Sequence, residues 1–326
     1  MLSSIKNAIG SGVRRVMLSR RALDPTAAMA NAIEGGGPVI VAQSEDKAYM
    51  RNAIICAAMR AVERGMAVIV VSAKRELGMR DELAHMAGRA GREFVEVSPV
   101  CPNAYQVPWD RLDEKQIAAM LLPDSSISEP YHRCRSERYI VQTVRVLRAA
   151  WIELNLQEIV RCLDPTELCA VVHDLPASPC QQEAEAYLNE LSERERRDIA
   201  GEFGRLSIFA DCEISHWFGP AIPGVERLDL LKAIGDKAVV YFNMECHNWP
   251  MFAPILGAAI GQDLLSTASS LVGSATPSLV AIARFSEIPE KHVERLIGRG
   301  RSAGMGLLLD ERGFSDLTLG RLRVNS

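Results

Sequence analysis

Residues 35–71 read GGGPVIVAQSEDKAYMRNAIICAAMRAVERGMAVIVV, and this stretch decides the fold class. After the Gly-Gly-Gly-Pro breaker, residues 39–42 form a short run of mostly β-branched side chains, and residues 67–71 form a second such run. Residues 46–64 between the runs carry apolar side chains at helical spacing, and Gly65 supplies a stop signal. Continuous β-branched runs are typical of strands that a parallel sheet buries on both faces. The stretch therefore predicts a β-α-β unit of a doubly wound parallel sheet.

The same alternation extends along most of the chain, with one long interruption. A helix is predicted over residues 77–90 and a strand over 94–97, after which residues 113–231 show almost only helical periods. Within that stretch, Ser192 and Glu195 have the spacing of a capping box. The alternation then returns, with strands over residues 239–242, 279–283 and 305–309 and helices over 250–271 and 290–301. We therefore predict an α/β domain with a mostly parallel sheet from residues 35–112 and 232–326, interrupted by an all-helical insertion domain over 113–231.

A basic segment, residues 1–34, precedes the first predicted strand. Residues 1–21 carry five basic side chains and no acidic one: Lys6, Arg14, Arg15, Arg20 and Arg21. Apolar residues recur between them at helical spacing, which predicts a short basic amphipathic helix. Such a helix can contact an anionic membrane surface or a DNA backbone, or it can dock on the body with its charges in solvent. Both alternatives remain open at this stage.

The composition is that of a globular protein. Of 326 residues, 48% are hydrophobic and 24% are charged, and the net charge of −4 argues against a polyanion-binding role for the whole molecule. The eight cysteines include no CxxC pair, and His173, His216 and His247 lack a partner at metal-ligand spacing, so no metal site is predicted. The sequence shows no signal peptide and no apolar run of membrane-spanning length. The expected location is the cytoplasm or the periphery of the inner face of the membrane.

The turn after the first strand stands where nucleotide-binding folds hold phosphate, yet it lacks the residues that a phosphate loop needs. It reads Gln43-Ser44-Glu45-Asp46-Lys47-Ala48, with Lys47 in the place of a P-loop lysine. No glycine is present to wrap the backbone around a phosphate, and Ala48 has no hydroxyl for magnesium. Glu45 and Asp46 add two carboxylates that repel phosphate charge. An ordinary turn, in which Asp46 caps the following helix, is the favoured interpretation.

Several stretches, taken together in their order and spacing, resemble one family of DNA pumps. They are AVERGMAVIVV (residues 61–71), RLD (111–113), ELSERERRD (190–198), VVYFNM (239–244), LGAAIGQDLL (256–265) and RGRSAGMG (299–306). The chain resembles the cytoplasmic motor domain of the type IV secretion (conjugation) coupling proteins, which are TraD/TraG-like and belong to the FtsK–HerA superfamily. The resemblance runs from residue 35 to residue 317. It implies a P-loop-NTPase-like (RecA-like) doubly wound sheet with an all-α insertion domain.

The resemblance also shows which catalytic residues this chain lacks. The family's Walker B strand ends in an aspartate that helps to hold magnesium and a glutamate that polarises the attacking water, whereas Ala283 and Arg284 occupy those places here. The family's next strand ends in a glutamine sensor, and here residues 309–312 read LDER. The family's glycine-rich Walker A loop corresponds to the turn from Gln43 to Ala48. The loss of three catalytic elements implies a pseudo-ATPase without a bound cofactor.

The leading hypothesis is a catalytically inactive coupling-protein homologue that serves as a scaffold or as a recruitment subunit for substrate or partners. The resemblance implies protein partners: further copies of the chain, an active paralogue, or components of the secretion machinery and relaxosome. Arg299 and Arg301 lie in a segment similar to the family's arginine-bearing helix end, and they either reach a neighbour's nucleotide site or cap their own helix.

Two alternatives remain open. The first is a divergent NTPase or DNA-translocating motor that binds ATP and magnesium through Lys47 and a carboxylate such as Asp310 or Glu311. The second is a nucleic-acid-binding protein without motor activity.

Overall fold

The structure is a computed structural model that describes residues 13–17, 39–43, 47–74, 76–98, 105–123, 130–220, 223, 225, 227–245, 247–274, 276–283 and 288–310. Its strands are β1 (Val13–Met17), β2 (Val39–Gln43), β3 (Ala67–Ser72), β4 (Phe94–Val97), β5 (Val239–Asn243), β6 (Ser278–Ala283) and β7 (Met305–Asp310). They form one sheet in the order β1-β2-β7-β6-β3-β5-β4, and every neighbouring pair is parallel.

Helices cover both faces of this sheet. On one face lie α1 (Lys47–Glu63) and α2 (Leu77–Arg89), whose apolar side chains pack on Val68 and Val70 of β3. On the other face lie α10 (Ala253–Ser270) and α11 (Glu290–Ser302), which share a core with Ile69 and Val71. Successive strand residues point to opposite faces, so the continuous apolar runs of β3, β5 and β6 are buried on both sides. The predicted doubly wound, parallel α/β sheet, interrupted by helices between β4 and β5, is confirmed.

The described part of the stretch between β4 and β5 consists of helices and their connections, with one isolated parallel bridge between Tyr105 and Leu228. It contains α3 (Glu114–Leu121), α4 (Pro130–Ala149), α5 (Leu156–Arg161), α6 (Pro165–His173), α7 (Pro179–Asn189), α8 (Glu193–Ala210) and α9 (Leu230–Gly235), with 3₁₀ turns at Trp109–Arg111 and Glu213–Phe218. The capping box predicted at Ser192 and Glu195 is present at the start of α8. These helices share one apolar core with the α10 face of the sheet. The domain boundaries at residues 34, 112 and 231 stay predictions.

The basic segment at the start of the chain differs from its predicted form. Val13–Met17 is a strand, not part of a helix, and it pairs with β2 in the register Val13↔Val39 to Met17↔Gln43. The physical reason is that the outer edge of β2 offers a row of backbone N–H and C=O groups, and pairing with them outweighs a local helical pattern. The first strand therefore begins well before Pro38. Lys6, Arg20 and Arg21 lie outside the described residues.

No helix in the described part of the chain is long and apolar enough to cross a membrane.

Candidate functional site

The carboxyl ends of β2, β7 and β6 meet at one edge of the sheet, where open parallel α/β sheets bind their ligands. Ala42 pairs with Asp310, and Ile282 with Leu309, so β6 ends at Ala283 directly beside the end of β7. Of the predicted phosphate-loop residues, Gln43 closes β2, Lys47 opens α1 and Ala48 is exposed. Ser44, Glu45 and Asp46 lie outside the described residues, so the helix cap at Asp46 stays a prediction.

A narrow crevice separates the ends of β6 and β7 from α1 and α2. Ala283 and Asp310 line it from the sheet, and both are almost fully buried. The helices contribute apolar side chains and two charged ones, listed here: Met50, Arg51, Ile54, Glu76 and Met79. The crevice holds about 10 Å³ of free space. That is about the minimum for one water molecule and far below the several hundred Å³ of typical ligand pockets.

Arg51 is a residue of this edge that the sequence analysis missed. It lies one helical turn after Lys47 on α1, and its Nη1 comes within 3.2 Å of the position that a Cβ on Gly78 would occupy. Gly78 therefore leaves room for the guanidinium between α1 and α2. The four-residue spacing from Lys47 is a signal that could have drawn attention to it, because residues i and i+4 share one face of a helix.

The predicted Walker B positions are divided between the described and undescribed parts of the chain. Ala283 stands at the end of β6 as the sequence indicated, with 5% of its surface exposed. Its methyl group can neither bind a metal nor polarise water. Arg284 lies outside the described residues, as do Glu311 and Arg312. Asp310 closes β7 beside the end of β6, and it lines the same crevice as Ala283.

Arg299 and Arg301 lie at the opposite edge of the sheet. They occupy the last turn of α11, which ends at Ser302 shortly before β7 begins at Met305, and this places them at the amino edge of the strands. Both are exposed, and Arg299 donates a hydrogen bond from Nη1 to the hydroxyl of Ser269 (2.7 Å). The structure thus keeps them apart from the chain's own phosphate-loop region. Their two predicted roles, acting on a neighbour or capping α11, both remain predictions.

The three histidines named in the sequence analysis lie in different surroundings. His173 and His247 are exposed, and His216 contacts the carbonyl of Glu213, with burial lowering the pKa of its imidazole. His292, which the sequence analysis passed over, is buried between α11 and Gly261 of α10, and burial lowers its pKa to about 4. The described residues contain no group of three His, Cys, Asp or Glu side chains arranged to hold a metal ion.

No protein-family model matches the chain, and no curated protein matches it. Among solved structures, it is similar to the unbound bacterial conjugative coupling protein TrwB, with 11% sequence identity and a TM-score of 0.47, over 82% of this chain and 67% of that one. It is likewise similar to TrwB in complex with the ATP analogue ADPNP, with 12% identity and a TM-score of 0.47, over 82% and 70% of the two chains. The similarity is one of fold.

Proposed function

We propose that this protein is a coupling-protein-like subunit of a conjugation or secretion system that does not hydrolyse ATP and acts by binding partners. The observation that carries the proposal is the narrow crevice at the carboxyl edge of the sheet. There Ala283 replaces the metal-binding carboxylate, and the side chains of Met50, Ile54 and Met79 fill the space beside it. A nucleotide site at this edge needs open volume, and the described residues leave only about 10 Å³ there.

The chemistry of phosphoryl transfer supports the same conclusion. The protein's contribution to that reaction is positioning and electrostatic stabilisation, which come from loop N–H groups, a hydroxyl, a lysine and strand-end carboxylates. This chain keeps Lys47 but has Ala48 in place of the hydroxyl, and Ala283 and Arg284 in place of the carboxylates. A single retained lysine is not sufficient to hold a metal–nucleotide complex in line for attack.

A divergent NTPase is the second candidate function, and one observation favours it. Asp310 lines the crevice beside Ala283, so a carboxylate does approach the place where magnesium would sit. The TrwB structures with ADPNP and with GDPNP show that those proteins take nucleotide analogues. If this chain does the same, Lys47 and Asp310 are the residues that would hold the phosphate and the metal.

Phosphate release with magnesium and ATP separates the two candidates. We expect the purified full chain to release no phosphate above background. We also expect calorimetry to detect no heat of binding when ATP is titrated into it. The variants are Lys47→Ala and Asp310→Asn, with Lys115→Ala on the exposed face of α3 as the matched control. Magnesium-dependent release that both test variants abolish and the control variant retains would establish the divergent NTPase instead.

Partner recruitment is the positive half of the proposal. The helices from α3 to α9 correspond to the insertion that, in the resembling family, meets substrate and the relaxosome. We expect the chain to form a complex with a catalytic coupling protein or with secretion components from the same cell. In a mixed ring, Arg301→Ala would lower the partner's ATPase rate without dissociating the complex, since Arg301 is exposed at the amino edge of the sheet. If the chain stays monomeric and does not bind such a partner, this half of the proposal is contradicted.

DNA binding is tested separately by filter binding over a salt series. A protein that contacts phosphates through Lys6, Arg14, Arg15, Arg20 and Arg21 must lose affinity steeply as salt increases. Sedimentation with acidic liposomes tests the membrane alternative in the same way. Retention by neither DNA nor liposomes would leave these residues without an anionic partner.

A further inference from the structure

A cavity of about 650 Å³ opens in the helical region, beside α10. Its walls come from the connection between β4 and α3, the turn between α4 and α5, the segment before α9, and Asp263 of α10. This volume falls within the range of natural small-ligand sites, which is about 300–1,000 Å³. The cavity is lined by residues outside the crevice at the carboxyl edge, so its function can be tested independently of ATP hydrolysis.

Trp151 stands on the rim of this cavity in an unusual backbone conformation. The helix α4 ends in a Schellman motif, in which Trp151 N–H donates to Arg148 C=O (3.1 Å) and Ile152 N–H donates to Leu147 C=O (3.0 Å). Trp151 occupies the left-handed position of this motif with φ 58°, a position that glycine usually fills. A bulky residue there costs about 1–2 kcal/mol relative to the right-handed conformation.

The exposure of Trp151 adds to this cost. Its surface is 95% exposed, although an indole is among the most favourable side chains to bury. Neither local backbone preference nor packing within the chain explains a tryptophan at this place. A strained residue on the rim of a cavity is the kind of outlier from which a binding role can be inferred.

Arg227 lines the same cavity and has unused hydrogen-bond donors. Its Nη2 donates to the carbonyl of Pro220 (3.3 Å), whereas Nε and Nη1 are buried and have no partner within the described structure. The other two cavity arginines are paired, Arg111 with Asp229 and Arg148 with Glu114. Burial lowers the pKa of Arg227, and the charge of Glu153, which lines the same cavity, acts in the opposite direction. An anionic group in the cavity would add hydrogen-bond acceptors and a second negative charge beside this guanidinium.

The carboxyl groups of the cavity limit how much negative charge a ligand can bring. Asp110, Glu153, Asp229 and Asp263 all line it. A polyanion such as a nucleic acid or a triphosphate would meet these groups at close range, and like charges there are repelled. A ligand with a single anionic group avoids most of this repulsion and still satisfies Arg227.

We propose that this cavity binds a small ligand that carries one anionic group and one planar ring, with the anion against Arg227 and the ring against Trp151. Arginine pairs well with a carboxylate or a phosphate, and an indole face stacks on any flat ring. Two sources share this chemistry, nucleoside monophosphates and aromatic carboxylates. The chain is therefore assigned a second site, remote from the degenerate phosphate loop.

The test uses the full chain with AMP and with indole-3-acetate as separate probes, followed by calorimetry and by quenching of tryptophan fluorescence. Binding of either probe at millimolar concentration or below is the expected result, and the better probe identifies the source. Trp151→Gly should weaken binding about tenfold or more through loss of stacking while retaining the fold, because glycine suits the left-handed position. Arg227→Gln should weaken it by a similar factor.

Two control variants are matched to these changes. Phe203→Ala removes a partly exposed aromatic residue of α8, and Arg60→Gln removes an exposed arginine of α1; neither lines the cavity, and neither should alter binding. Thermal unfolding of each variant verifies that the fold is retained. The proposal is overturned if neither probe binds, or if binding survives both Trp151→Gly and Arg227→Gln. It is also overturned if Trp151 instead joins two copies of the chain, seen as a concentration-dependent dimer that Trp151→Gly abolishes.

Discussion

The carboxyl group of Asp263 gives the sharpest prediction from this structure. Asp263 is buried in the middle of α10, where it accepts hydrogen bonds from Tyr105 Oη (2.9 Å) and Thr267 Oγ1 (3.4 Å). Burial raises its pKa from the usual 3.8 to about 7, against the lowering effects of the Tyr105 hydrogen bond and of Arg111. The proposed perturbation is Asp263→Asn, which keeps the shape of the side chain and an oxygen that accepts from Tyr105.

The sign and size of the effect follow from linkage. Between pH 4 and pH 7 the folded chain holds the Asp263 proton and the unfolded chain has released it, so folding takes up a proton and stability falls as pH rises. The two pKa values differ by about three, and each unit is worth about 1.4 kcal/mol, which gives at most about 4 kcal/mol. Asparagine has no proton to lose in this range. The free energy of unfolding of Asp263→Asn should therefore rise relative to the natural chain by up to about 4 kcal/mol from pH 4 to pH 7.

Urea denaturation of both proteins at half-unit pH steps measures this difference directly, and all other titrating groups cancel in the comparison. Tyr105→Phe supplies a second arm. Since the Tyr105 hydrogen bond lowers the pKa of Asp263 in the folded chain, its removal should leave the start of the fall in stability near pH 4 and extend the fall to higher pH. A stability difference between Asp263→Asn and the natural chain that stays constant over pH 4–7 would refute the reasoning, because it would mean that Asp263 ionises equally in both states.

Three further predictions concern packing, capping and the sheet edge. Gly261→Ala should cost about 1–3 kcal/mol in urea denaturation, because its Cβ would come within 2.9 Å of the buried ring of His292. Gly201→Ala, a helical position with nothing within 4 Å, should instead gain about 0.5–1 kcal/mol; equal effects of the two changes would contradict the packing. Ser192→Ala should lower the free energy of unfolding by about 1 kcal/mol through loss of the capping box. An unchanged midpoint of thermal unfolding would contradict this prediction. Deletion of residues 1–17 should destabilise the sheet and increase light scattering by uncovering the edge of β2; a variant as stable and monodisperse as the full chain would show that β1 is dispensable.

Much of the fold could be predicted because its signals are local. Short apolar runs in the sequence predict the strands β2, β3, β5, β6 and β7, and their predicted limits differ from the observed ones by one residue at most. The box at the start of α8 needs four consecutive residues and no distant partner. Such features depend on backbone and side-chain interactions within one turn or one strand, so the order of residues alone specifies them.

The strand β1 shows where local pattern is insufficient. Residues 13–17 lie in a stretch with helical spacing, yet they pair with β2, which is distant in sequence. An edge strand forms its hydrogen bonds with a neighbouring strand that is in place only once the sheet has formed. The pattern of five residues therefore cannot predict this pairing.

The candidate sites divide in the same way. The sequence alone shows that glycines are absent from Gln43 to Ala48 and that carboxylates are absent at Ala283 and Arg284. It can do so because phosphate and metal binding depend directly on these residue types. The tertiary structure alone decided that Asp310 and Arg51 share a crevice with Ala283, and that Trp151, Arg227 and Asp263 share a cavity. The order of the strands and the packing of the helical region on the sheet bring these distant residues together. Burial then sets the pKa of Asp263 and leaves donors of Arg227 without a partner, and both depend on surroundings that do not exist in the unfolded chain.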